Sequence, residues 1–180
     1  QIFKGVAKSK SMPSILFVCT ANRFRSVLAE AIFKEKLSRL KDNLKWCVES
    51  AGTWTLNGLT PMIEAQDEAE KRGLDVSKHR SQQVSEKLLA RFDLIIVMEI
   101  NHKEALIIEF PELSDRINLL SEVGGGIPLS ILDPYSENVS PTQVANEIDQ
   151  LINEKFLIIY QYLTATHENQ SDLFSVKNEK

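Results

Sequence analysis

Cysteine is scarce in this chain, with only Cys19 and Cys47 among 180 residues. Two cysteines are too few for a disulfide framework, and they lack the spacing of a zinc site. Long apolar runs are missing as well: none approaches the roughly 20 residues that a membrane helix needs, and residues 1–13 lack the apolar stretch of a signal peptide. Nor is there an excess of basic charge. A net charge of -4 supplies no broad field for nucleic acid or an anionic membrane, so any recognition of phosphate has to be local. Internal repeats and low-complexity segments are also absent. Together these absences describe a soluble, cytoplasmic protein with no nucleic-acid or membrane partner, in a reducing compartment where a free thiolate survives.

What is present is enough apolar residue, 43% of the chain, to bury one core but not two. Short apolar runs alternate with longer helical periods. Ile15-Leu16-Phe17-Val18 reads as a buried strand, followed by a helix with Ala29, Ile32, Phe33, Leu37 and Leu40 on one face and Ser26 as its N-cap. Trp46-Cys47-Val48 reads as a second strand closed by a turn at Ala51-Gly52-Thr53, then a helix from Ala65 to Arg72 stopped by Gly73. Leu94 to Met98 is a third strand, a helix follows through Leu106 and Ile107, and Ile117 to Leu120 is a fourth strand. A flexible glycine segment, Gly124-Gly125-Gly126, comes next. Ser140-Pro141-Thr142-Gln143 then heads a helix with Val144, Ile148, Leu151, Ile152 and Ile159 on one face. This alternation predicts a single α/β domain over 14–166, a four-stranded parallel sheet with helices on both faces. Residues 1–13 are expected to be a flexible N-terminal segment and 167–180 a polar, frayed tail.

Open parallel sheets bind ligands outside the carboxyl ends of their strands. The segment Cys19-Thr20-Ala21-Asn22-Arg23-Phe24-Arg25-Ser26 lies at that edge, between a strand and a helix. Successive N–H groups in such a turn form an anion nest, reinforced by the positive end of the helix dipole. The same setting favours the thiolate of Cys19, the form that attacks. Arg25, six positions on, can curl back so that its planar guanidinium grips two phosphate oxygens. Ser26 offers a hydroxyl to the sulfur, and Asn22 tolerates the positive φ that a tight loop requires. A Cys and an Arg six apart are a weak signal alone. The preceding strand, the Asn within and the helix that follows make the coincidence much rarer.

A departing alkoxide or phenoxide needs a proton, so an acid should stand on another loop at the same edge. Asp133, in Asp133-Pro134-Tyr135, is better placed than helix-borne carboxylates such as Glu30 or Glu99, and Pro134 stiffens its loop. Its carboxylate would later activate water against a cysteinyl-phosphate, a step requiring no metal or cofactor.

Four separated segments now stand in order: Cys19 to Ser26, Glu49-Ser50-Ala51-Gly52-Thr53, Val76-Ser77-Lys78-His79-Arg80-Ser81 and Asp133-Pro134-Tyr135. Over Ser14 to about Tyr162 they resemble the low-molecular-weight protein tyrosine phosphatases. The resemblance implies a flavodoxin-like sheet, Cys19 as nucleophile, Arg25 as phosphate binder, Asp133 as general acid and base, and a phosphotyrosine protein as substrate, with phosphate or other oxyanions as product or inhibitor. It also implies that Thr20, Ala21, Asn22, Arg23, Phe24 and Ser26 shape the cradle, with Ser50 and His79 bonded to Asn22 and Ser26 in support. Trp54, Leu56 and Tyr135 are expected to wall the crevice against which a phenyl ring stacks.

Two positions depart from the family pattern. Ala21 replaces the usual Gly and is expected to strain the loop slightly. Phe24 stands where a second cysteine is frequent, which removes a thiol able to rescue an oxidised Cys19. Arg23 faces the substrate in the family; its charge should repel phosphoarginine and welcome acidic neighbours of a phosphotyrosine. Two rivals carry less weight. An arsenate reductase on this scaffold needs a relay of further thiols, whereas Cys47 is alone and expected to be an inert core residue. A silent phosphate-binding module would not need Cys19, Arg25 and Asp133 together.

Overall fold

A computed structural model describes residues 12–40, 42–136 and 138–175. The flexible segment expected at 1–13 lies almost wholly outside them, as does the end of the polar tail. Four strands, β1 (Ser14–Cys19), β2 (Cys47–Gly52), β3 (Leu94–Val97) and β4 (Ile117–Leu119), form one parallel sheet in the order β2-β1-β3-β4. β1 and β3 are buried along their whole length, as expected of strands covered on both faces. Ile15 and Phe17 pack with Leu28 and Phe33 of α1 (Arg25–Arg39), Ala65 of α2 (Ile63–Glu70) and Ile148 of α5 (Pro141–Ser175). Leu16 and Val18 point the other way, onto Leu88 and Leu89 of α3 (Glu86–Leu89) and Leu106 of α4 (Ile100–Glu109). Period-two alternation in β1 thus builds two cores, one on each face. No helix among the described residues is long and apolar enough to cross a membrane.

Several local expectations are corrected. Ala51 and Gly52 belong to β2 rather than to a turn, because Cys19 pairs in register with Gly52 and so draws the strand to the site edge. Ser26 is not the N-cap of α1; Phe24 is, and Ser26 sits inside the first turn with its hydroxyl turned to the loop. Gly124 and Gly125 are not merely flexible: both have positive φ, 76° and 83°, in a turn closed by bonds from Gly125 and Gly126 N–H to Glu122 O. The four-residue α3 was unexpected, since one turn is too short to show a helical period. α5 begins as expected: Ser140 Oγ accepts from Gln143 N, while Gln143 Oε1 accepts from Ser140 N, both at 3.1 Å. This reciprocal capping box fixes its start. Its backbone runs to Ser175, past the boundary expected at 166.

The strand order reverses between β1 and β3, so the crevice beyond their carboxyl ends is the topological switch point. Cys19 ends β1 there, and Met98-Glu99 leaves β3 beside it.

Candidate active site

The Cys19 loop is closed by its own side chains. Asn22 is fully buried, with φ of 53°, the left-handed conformation that Asn accepts at low cost. Its Nδ2 donates to Ser26 Oγ at 2.9 Å and to Ser50 Oγ at 2.8 Å. Its Oδ1 accepts from Gln82 N at 2.9 Å, and its backbone carbonyl lies 2.9 Å from His79 Nε2. Ser50 Oγ in turn donates to Glu30 Oε2 at 2.5 Å. Ser26 Oγ stands 3.1 Å from Cys19 Sγ; since Asn22 already donates to that oxygen, the Ser26 proton is left for the sulfur. His79 and Ser50 therefore support the loop through Asn22, and neither bonds Ser26 directly as expected.

Gly52 makes the close packing possible. A Cβ there would meet Thr20 O at 2.5 Å, and Thr53 N and Trp54 N bond Cys19 O and Thr20 O, both at 2.9 Å. Ala21 adopts no positive φ, so the strain expected from replacing glycine there does not arise. Among the described residues, no backbone N–H from Thr20 to Ser26 finds an acceptor.

Arg25 is almost fully buried and reaches back along the loop. Its Nη1 donates to Glu99 Oε1 at 2.5 Å and to Ile131 O at 2.8 Å, and its Nη2 donates to Asp133 Oδ2 at 2.8 Å and to Thr20 Oγ1 at 3.3 Å. Asp133 is thus brought to the cradle, as expected. Glu99 is brought there too. It is not helix-borne but caps α4 in extended conformation, directly after β3, and that position was the signal for it. His102 lies behind, its Nε2 2.9 Å from Thr20 Oγ1. Burial, with Arg25 alongside, holds its imidazole down to about 4 against the pull of Glu99.

A cleft of about 630 Å³ opens over the loop, lined by Phe24, Trp54, Leu56, Leu59, Met62 and Tyr135, with Arg23 and Asp133 at its polar side. Trp54 and Leu56 are 82% and 73% exposed along this cleft. Phe24 is buried and packs edge-on to Tyr135, ring centroids 6.0 Å apart. Cys47 is half-buried at the opposite end of the sheet, paired with Ser14, and not the fully enclosed core residue expected.

Residues 14–169 match the family described as low molecular weight phosphotyrosine protein phosphatase. A phosphatase of that description from Gallus gallus is 33% identical over 129 residues, 69% of this chain and 81% of the relative. A protein-arginine-phosphatase of Bacillus subtilis is 28% identical over 141 residues, 78% of this chain and 92% of the relative. Among solved structures, a low molecular weight protein tyrosine phosphatase from T. tengcongensis superimposes with a TM-score of 0.72 at 34% identity, covering 81% of this chain and 97% of that one. The chain belongs to the low-molecular-weight phosphotyrosine protein phosphatase family.

Proposed function

We propose that this protein hydrolyses phosphotyrosine in proteins through a cysteinyl-phosphate on Cys19. The observation that carries the reading is the convergence of Cys19, Arg25 and Asp133 on one loop whose N–H groups lack partners among the described residues. An entering phosphate dianion competes with Asp133 for Arg25 Nη2, and its charge favours a proton on the displaced carboxylate. The Cys19 thiolate attacks phosphorus and the bond to the phenolic oxygen breaks; Asp133 gives that oxygen its proton. Water then attacks phosphorus, Asp133 takes the proton, and the S–P bond breaks to regenerate the thiolate. Ser26 stabilises the sulfur in both steps, and Arg25 and the loop N–H groups hold the equatorial oxygens.

Phosphotyrosine is favoured over phosphoarginine because the cationic Arg23 stands in the cleft among aromatic and aliphatic walls. An arsenate-reductase reading is disfavoured by the sheet register. Cys47 lies five pairs along β1 from Cys19, roughly 17 Å away at the strand rise, too far for a disulfide. By the same geometry, Cys47 offers no rescue to oxidised Cys19. A free nucleophilic thiolate suits a reducing, cytoplasmic setting.

Replacing Cys19 with Ser should lower turnover of p-nitrophenyl phosphate by roughly 10⁴-fold or more while retaining inhibition-range binding of inorganic phosphate by calorimetry. Turnover that survives the replacement would remove Cys19 as nucleophile.

A further inference from the structure

The general acid in this reading sits on an exposed loop, and an acid is useful only when held within hydrogen-bond reach of the departing oxygen. Asp133 Oδ2 is fixed on Arg25, but Oδ1 accepts from the backbone N–H of Tyr135 at 2.9 Å. The residue that orients the carboxylate is therefore Tyr135, two positions on. Tyr135 is 47% exposed, so little burial holds it. Two contacts do: its ring meets the edge of Phe24, and its hydroxyl donates to Glu64 Oε2 at 2.9 Å.

Glu64 is well founded as an anchor. It lies in the first turn of α2, and Met62, which caps that helix, donates its N–H to Arg23 O at 2.9 Å. Arg23 Nε in turn donates to Thr60 O at 2.8 Å. The start of α2 is thus bonded to the cradle loop itself, and whatever Glu64 grips is registered against Cys19. Burial and the Glu64 carboxylate both push the Tyr135 phenol above its ordinary range, so it stays a donor.

We infer that Glu64 is a positioning residue for catalysis: by accepting the Tyr135 hydroxyl across the cleft mouth, it holds the Asp133 loop where the acid meets the leaving oxygen. The inference rests on the reading of Asp133 as general acid. Without the tether the loop beyond its anchor at Ile131, bonded to Met98 O, keeps only Arg25 and Phe24, and proton delivery suffers while the anion cradle does not.

The test compares phenyl phosphate, whose phenol has a pKa of about 10 like tyrosine, with p-nitrophenyl phosphate, whose nitrophenolate leaves without a proton. Glu64→Ala should reduce kcat/KM roughly 5–10-fold more for the first than for the second, with the inhibition constant of inorganic phosphate unmoved. Glu64→Gln keeps an acceptor oxygen and should restore most of the loss. Tyr135→Phe should reproduce the leaving-group dependence, and the double variant should be no worse than either single one. Equal losses on both substrates, additive losses in the double variant, or a Gln variant as poor as the Ala variant would each overturn the tether. Asp133→Asn separates the two readings: if it shows no leaving-group dependence, the acid assignment falls; if it does and Glu64→Ala does not, only the tether falls.

Discussion

The two loops that meet at this site are held in contrasting ways. In the Cys19 loop, the buried Asn22 commits both side-chain groups and its carbonyl to Ser26, Ser50, Gln82 and His79, and Gly52 presses against Thr20 from β2. The loop that carries Asp133, the proposed acid, instead brings two partly exposed side chains, Asp133 and Tyr135, onto Arg25, Phe24 and Glu64. A cradle for a trianionic transition state gains most from donors fixed in advance. An acid must instead give up its partner when substrate arrives, and a charge-paired carboxylate on a lightly held loop can do so. Rigidity and exchangeability are thus divided between the loops.

That division can be broken at either end. Asp133→Asn should lower kcat for phenyl phosphate by roughly 10²-fold or more and leave the affinity for vanadate or phosphate close to that of the parent. Asn22→Ala should do the reverse in kind: it strips Ser26, Ser50 and Gln82 of a buried partner, at about 1–3 kcal/mol, and weakens phosphate binding about 10–100-fold. Isothermal titration with phosphate on both variants checks the contrast. An Asn22→Ala protein that binds phosphate normally would mean the loop is held by its backbone alone.

How far this arrangement was readable beforehand follows from its range in sequence. Strand runs, the loop and the capping box at Ser140 are local patterns, and each was legible. Asp133 is legible from the need for an acid at the same sheet edge, whereas Ser50 and His79 become visible only through resemblance, because nothing in an isolated Ser or His announces a contact with Asn22. Gln82 and Glu64 escape altogether, and Glu99 is passed over as a helix-borne carboxylate. Each reaches the site across 60 or more residues of chain, from positions that look like solvated surface in one dimension. Ser26 misled in the other direction: serine before a helical period is a standard cap, yet here the cradle claims its hydroxyl and Phe24 takes the capping position.

Arg23 sharpens the comparison at the cleft mouth, where its charge acts on whatever the rigid loop receives. A unit charge at several ångströms in a half-exposed site is worth on the order of 1 kcal/mol. Arg23→Thr should therefore raise the ratio of kcat/KM for phosphoarginine over phosphotyrosine roughly 5-fold at low salt, and shift preference away from peptides with Glu beside the phosphotyrosine. Competition assays in 20 mM and 500 mM salt, about a fivefold change in screening length, check it. A ratio that moves neither with the replacement nor, in the parent, with salt would mean that Arg23 is a structural brace to Thr60.

The smallest effects concern stability, where the site face and the helix layer behind it fail in different pH windows. Burial holds His102 near 4 from an ordinary 6.5. The unfolded chain therefore takes its proton first, and stability complete above about pH 6.5 declines as pH falls toward 4. Glu68, which joins α2 to α5, is pushed up by burial, yet bonds from Lys71, Thr142 and Arg72 outweigh that and hold it at about 2. Its unfolded value is 4.5, so its contribution is present above that pH and lost as pH falls toward 2. Each window is worth at most roughly 3 kcal/mol. Urea unfolding from pH 7 to 3 should show His102→Gln flattening the upper decline alone and Glu68→Gln the lower alone. If one replacement flattened both windows, the two layers would be unfolding as a single titrating unit.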